Sequence, residues 1–317
     1  MSFDKDFDLV ALGCSTRELL SWVDRYPGAS DGIHTDQQLW TSGGMSGNVA
    51  HAVAKLGGKV ALVTATGTDG VGNKMVEDLV KAGVNVDYLF RRNNTLSQLT
   101  VLMVTDDLKR AGLVITLPHE LQIKPEEVPD SLLQSAKVFF TDMDPADTAI
   151  AVSKRAKSFG IPIAYDLQMA PEHVNIPKHD KNINQMIHLS DYLFADEENF
   201  LMWSPHKDLI TAIDSLLHKF PHMTLIITQG SQGSLLANQQ QKFKVDAFPT
   251  NMVDSIGAGD AYHATFLYTH IALNWSLKKA CIFGSAAASI SCTQAGARNG
   301  LATLKEIEIF VKQNHSK

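Results

Sequence analysis

The chain has 317 residues, 44% of them hydrophobic and 20% charged, and a formal net charge of -6. That balance supports a large buried core, excludes a disordered polypeptide and gives no electrostatic footprint for nucleic acid. No run of about 18 uncharged apolar residues occurs, so no membrane-spanning helix is expected. The three cysteines, Cys14, Cys281 and Cys292, lack CxxC spacing; they indicate neither a disulfide framework nor a zinc site and fit a reducing, cytoplasmic compartment.

In chain order, residues 7–13 (FDLVALG) form a first strand-like run. Residues 48–57 (NVAHAVAKLG) carry apolar positions at helical spacing and stop on glycine, and 59–67 (KVALVTATG) is again strand-like. Further apolar runs follow at 137–142, 161–167, 191–196 and 223–230, with helical stretches at 146–159 and 207–219 between some of them. Strand, helix and strand in repetition predict an α/β fold with a parallel sheet covered on both faces, and in such sheets ligands sit at the carboxyl ends of the strands. Two ranges break the rhythm. Residues 33–42 and 86–117 alternate with a period of two, the latter as the runs VDYLF, SQLTVLMVT and RAGLVITL with no helix between these runs, which predicts a small antiparallel β lid. The competing reading makes them edge strands of the main sheet. Trp40 and Tyr88 are expected in the core of the lid. The expectation is a single domain over 1–317 with the lid as a subdomain.

The stretch 251–266, NMVDSIGAGDAYHATF, places Gly257, Ala258 and Gly259 at the start of an apolar helical pattern with Asp260 directly after them. Amides in the first turn of a helix have no intrahelical partner, and the helix dipole adds positive potential there. Small residues leave those amides open to a phosphoryl group, and the neighbouring acid suits a base that takes a proton from an attacking hydroxyl. By themselves these residues fit equally a glycine-rich turn with an acid stabilised by the helix dipole.

VDSIGAGDAYHATF closely resembles the second signature of the PfkB, or ribokinase-like, family of carbohydrate kinases, D-[ST]-x-G-A-G-D followed by an apolar helix. The first signature has a counterpart in residues 42–75: paired glycines, an Asn on the helix start, an A-x-x-L-G helix end and a G-x-D-x-x-G turn at Gly67, Asp69 and Gly72. TQGSQGSLL (228–236) is similar to the T-x-G-x-x-G hairpin of the family, and the C-terminal stretch is similar to its final helices and Gly-Ala turn. The resemblance implies a three-layer ribokinase-like sandwich with a mostly parallel central sheet and a small antiparallel β lid. It implies Asp260 as catalytic base, with Gly257, Ala258 and Gly259 as the anion hole. Gly43, Gly44 and Asn48 would lie in the sugar site, Thr228, Gly230 and Gly233 along the nucleotide, and Ser285 by the adenine. Asp254 resembles the acid that helps to hold a monovalent cation such as K+, and the lid would serve as a homodimer contact.

Three departures fall on functional positions. Glu18 stands where the family commonly has the sugar-gripping Asp. The family's N-x-x-E motif for Mg2+ reads DEEN, so Asp196 and Asn199 exchange amide and carboxylate; an acid at either end still offers magnesium a hard oxygen, and the competing reading makes Asp196 a plain helix cap. Met45 stands where several relatives have Lys, which disfavours a phosphorylated sugar. His51, His263 and His270 have no partners at metal spacing and are expected as satisfied helix residues. Cys14, where the first strand meets the expected site, has no basic partner to activate it. The expected function is ATP- and Mg2+-dependent phosphorylation of a hydroxyl of a small sugar or sugar-like compound. Two alternatives stay open: a nucleoside kinase of the same fold, and a catalytically silent sugar-binding regulatory protein. A nicotinamide dehydrogenase is disfavoured because LGCSTREL, not GxGxxG, follows the first strand.

Overall fold

A computed structural model describes residues 5–105, 110–168 and 177–315. Its strands are β1 Leu9–Leu12, β2 Thr16–Trp22, β3 Gln38–Gly43, β4 Val60–Gly67, β5 Leu89–Arg92, β6 Leu99–Val104, β7 Arg110–Thr116, β8 Phe139–Thr141, β9 Ile163–Leu167, β10 Tyr192–Asp196, β11 Thr224–Thr228, β12 Ser234–Ala237 and β13 Lys242–Val245. The helices are α1 Met45–Lys55, α2 Gly70–Ala82, α3 Asp130–Gln134, α4 Ala146–Ser158, α5 Pro177–Leu189, α6 Glu197–Trp203, α7 Leu209–Lys219, α8 Ala258–Leu267, α9 Leu277–Ser291 and α10 Leu304–His315.

The central sheet runs β13-β12-β11-β10-β9-β8-β1-β4-β5. From β11 to β5 every pairing is parallel, and β12 and β13 close one edge as antiparallel strands. Period-two alternation divides each strand between two cores. In β1, Val10 and Leu12 point into a cluster with Ile150, Ile183 and Leu216, while Leu9 and Ala11 point into one with Val53, Leu79 and Phe266. Helices α4, α5 and α7 therefore cover one face and α1, α2, α8 and α9 the other, which makes three layers. From α8, residues 260–267 are all buried, because the helix lies between the sheet, α1 and α9.

Chain order turns back between β1 and β8. After β1 the chain builds outward to β4 and β5, then returns to lay β8 on the other side of β1. The carboxyl ends of these two strands flank the crevice where open α/β sheets bind ligands. Asp142, directly after β8, holds this point together: its Oδ2 accepts from the amides of Cys14 and Ser46, each at 3.0 Å.

The small sheet is ordered β3-β2-β6-β7, with antiparallel pairs at its two edges and a parallel β2–β6 pair inside. Its composition corrects the expected lid ranges. β5, within the range 86–117, pairs in parallel with β4 and belongs to the central sheet. Tyr88 accordingly packs against the central core. Residues 33–37 precede β3 without strand structure, and residues 106–109 lie outside the described set. β2 supplies a central strand that the periodicity did not single out, since its burial pattern is nearly continuous and not alternating. Trp40 is 52% exposed on β3 instead of buried.

Candidate active site

The segment 254–260 is shaped from both ends. Asp254 accepts from the amide of Ile256 (2.9 Å) and, with its other oxygen, from that of Gly296 (2.8 Å), so one buried carboxylate ties the loop before α8 to the loop after α9. Gly257 caps α8 with φ of 73°, the left-handed region, and a Cβ there would lie 2.7 Å from the Ala297 carbonyl oxygen. Only glycine meets both conditions. Ala258 and Gly259 then form the first turn, whose amides and dipole favour an anion. The Ala258 amide makes a long bond of 3.3 Å to the Ser255 carbonyl.

Asp260 follows on the same turn and is 9% exposed. Its Oδ2 accepts from Asn48 Nδ2 at 2.8 Å, although 212 residues separate the two. Asn48 lies in the first turn of α1, whose start at Gly44 takes φ of 83° against the backbone of Ser15. Burial raises the Asp260 pKa to about 6, opposed by the Asn48 hydrogen bond and by the charge of Arg298. Glu18, on β2, lays its carboxylate against Gly43, where a Cβ would meet Oε1 at 1.8 Å. Glu18, Gly43, Gly44, Asn48 and Asp260 thus converge at the junction of the small sheet, α1 and α8.

Four further residues, none of them singled out as functional in the sequence, complete this neighbourhood. Arg298 is buried and donates from Nε to Asn48 Oδ1 (2.8 Å) and from Nη2 to the Gly43 carbonyl (2.7 Å). Asp142 has its pKa raised to about 7 by burial and by the charge of Asp144. Asp166, on β9, and His263, one turn along α8, come together with Asp260 so that one atom of each lies within 4.8 Å of the others. Burial holds the His263 pKa down to about 3, so the ring is neutral, packed 4.4 Å from the Phe194 ring. Among the described residues neither of its ring nitrogens has a hydrogen-bond partner, which corrects the expectation of a satisfied helix histidine; His270, by contrast, meets the Trp275 carbonyl at 2.8 Å. Burial first, and the Asp260 charge second, raise the Asp166 pKa well above the ordinary carboxylate value. Asp142 and Asp166 did carry a signal, since each stands at or just past the carboxyl end of an apolar run, the edge where ligands bind.

On the other side of the α8 start lies a cavity of about 820 Å³. Thr228, Gly230, Gly233 and Ser285 line it, together with Ala258, Gly259 and Asp196. β11, the short turn Gly230–Gln232 and β12 make the hairpin that forms one wall. Ser285, from α9, donates to the Asp246 carbonyl at 2.9 Å. Asp196 caps α6 by accepting from the Asn199 amide at 2.7 Å, and the Asn199 side chain donates to its other oxygen. Of the pair, Asp196 lines the cavity wall, and its carboxylate is the hard oxygen type that suits a magnesium ion. The first turn of α8 is therefore the partition between a large cavity and a buried carboxylate, an arrangement suited to passing a phosphoryl group from one side to the other.

Residues 8–304 match the model of the pfkB family of carbohydrate kinases. Among curated relatives, "Probable fructokinase-5" of Arabidopsis thaliana is 29% identical over 289 residues, covering 86% of this chain and 89% of that protein. Ribokinase of Bacillus subtilis is 27% identical over 304 residues, covering 95% and 98%. Among solved structures, a proposed ribokinase II from E. coli in complex with ATP and Mg2+ superposes with a TM-score of 0.84 at 20% identity, covering 97% of this chain and 99% of that one. The chain belongs to the pfkB family of carbohydrate kinases.

Proposed function

We propose that this kinase transfers the γ-phosphate of ATP to a hydroxyl of a small sugar or sugar-like compound, with Asp260 as the general base. The observation that carries the reading is the position of Asp260: buried, held by Asn48, and on the helix turn whose Ala258 and Gly259 line the large cavity. A carboxylate with a pKa of about 6 is ionised at neutral pH and still basic enough to draw a proton from the attacking hydroxyl. The amides of Gly257, Ala258 and Gly259 offset charge that develops on the transferred group. Glu18, Gly43, Gly44 and Asn48 hold the sugar, and Thr228, Gly230, Gly233 and Ser285 border the nucleotide. Asp196 and Asn199 would hold magnesium, which would supply charge neutralisation at the phosphates. The E. coli neighbour solved with ATP and Mg2+ supports that cofactor pair. A monovalent cation beside Asp254 and a homodimer contact through the small sheet, where Trp40 is exposed, belong to the same reading.

An ADP-release assay with ATP, Mg2+ and K+ across pentoses, ketohexoses, acid sugars, phosphosugars and nucleosides tests it. Asp260→Asn is expected to lower kcat by about 10²- to 10⁴-fold while ATP still binds. Unchanged turnover in that variant would remove the base assignment. A nucleoside as best acceptor would replace the sugar, and silence of the wild type across the panel would favour the regulatory alternative.

A further inference from the structure

Asn48 and Asp260 raise a question of orientation. A carboxamide has a donor end and an acceptor end of nearly equal shape. If its oxygen faced Asp260, two acceptors would meet in a buried place and the carboxylate would be repelled. Arg298 decides the matter. Its Nε–H accepts nothing and must find an acceptor, and it lies 2.8 Å from Asn48 Oδ1. The amide nitrogen is thereby turned toward Asp260 Oδ2 at 2.8 Å. The guanidinium is itself held by Nη2 donating to the Gly43 carbonyl (2.7 Å) and, at 3.4 Å, to Ser15 Oγ. Gly47 leaves the room, since a Cβ there would lie 2.5 Å from Nη2. Nη1 is buried and has no hydrogen-bond partner among the described residues.

We propose that Arg298 is a positioning residue for phosphoryl transfer: through the Asn48 amide it fixes one oxygen of Asp260 and leaves the other for the acceptor hydroxyl. This rests on Asp260 being the base. Among the described residues, the charged and titratable groups around Asp260 and Arg298 are Asp166 from β9, His263 from α8, Arg298 from the loop after α9, and Glu18 from β2 and Asp78 from α2, whose charges act on Arg298. His263 is neutral and Asp166 is pushed toward its protonated form, so the ionised base is favoured by the Asn48 hydrogen bond and, after it, by the charge of Arg298. Burial lowers the Arg298 pKa to about 10, which leaves it charged at neutral pH.

The test compares the full-length wild type with R298M and R298K in ADP-release kinetics from about pH 5 to 9, with the best acceptor from the panel. Carboxyl ¹³C NMR titration of Asp260, assigned with Asp260→Asn, accompanies it. For R298M, kcat should fall at least about tenfold, and both the acid limb of kcat/KM and the Asp260 titration should move up by about one unit, with ATP affinity held. In R298K the charge should return the acid limb close to its wild-type place but not the rate, because one ammonium lacks the planar fork that reaches Asn48 and Gly43 together. An unmoved limb and titration in R298M, or wild-type kcat in R298K, overturns the proposal. If R298M does not fold, R298K alone decides by the same rate criterion. Wild-type protein that turns over no acceptor refutes the kinase reading, and the NMR titration still reads the Arg298–Asn48–Asp260 linkage.

Discussion

Asp260→Asn should stabilise the protein while it removes activity, because the same burial that tunes the base makes its charge costly. The Asp260 pKa rises from 3.8 to about 6 on folding, and at about 1.36 kcal/mol per unit the ionised carboxylate costs about 3 kcal/mol of stability at neutral pH. The sign follows from proton binding. Below pH 3.8 the group is protonated folded and unfolded and contributes nothing. Between 3.8 and about 6 the unfolded chain ionises first, so stability falls as pH rises, and above that the loss is constant. An asparagine carries no charge, keeps a carbonyl oxygen for Asn48 Nδ2, and relieves Asp166 of a neighbouring anion. Part of the gain is lost to imperfect amide geometry, leaving about 1–3 kcal/mol. With an unfolding entropy of about 2.1 cal/mol/K per residue, that is a Tm rise of about 2–4 °C. Scanning fluorimetry of both proteins at pH 4, 5, 7 and 8 reads the effect. The difference should be near zero at the lowest pH and reach its plateau above about pH 6. Equal or lower Tm for the variant at pH 7, or a difference independent of pH, would refute the assignment of Asp260 as a carboxylate kept ionised at a cost in stability.

Gly257→Ala forces a side chain into a left-handed residue 2.7 Å from the Ala297 carbonyl, and it should cost about 1–3 kcal/mol in urea unfolding with a loss of kcat beyond tenfold, because the anion-facing turn must shift. Asp196→Ala removes the α6 cap and the carboxylate at the cavity wall; stability should fall by about 1 kcal/mol, and the Mg2+ concentration for half-maximal rate should rise several-fold, whereas a stability loss alone would reduce Asp196 to a cap. Ser285→Trp projects an indole into the 820 Å³ cavity, so the KM for ATP should rise at least about tenfold with the KM for the acceptor little changed; equal effects on both would place the nucleotide elsewhere.

The parts of the fold that were legible are those written in contiguous residues. The parallel strands of the central sheet other than β5 announce themselves because their runs are mostly apolar on both faces, and the α8 turn because small residues and an acid stand together. β2 was not legible: buried on both faces over most of TRELLSW, it lacks the alternation of a half-buried strand. β5 misled for the opposite reason, since VDYLF reads like the strands of the small sheet, and only its partner, β4, places it in the large one. The catalytic neighbourhood divides the same way. GAGD carries its chemistry in four consecutive residues, but what tunes it comes from far along the chain: Asn48 at 212 positions, and Arg298 bonded to Asn48 across 250. Nothing local marks Arg298, because an arginine before Asn-Gly in a loop reads as solvated charge. Its proposed role exists only once α1, β3 and the loop after α9 meet at one point, where a cation that would be costly to bury alone finds three acceptors and sits among the charges of Glu18, Asp78 and Asp260. The proposed base and its turn can thus be read from a motif, while the pKa of Asp260 is set by burial, by the Asn48 hydrogen bond and by a distant guanidinium, properties of the packed chain.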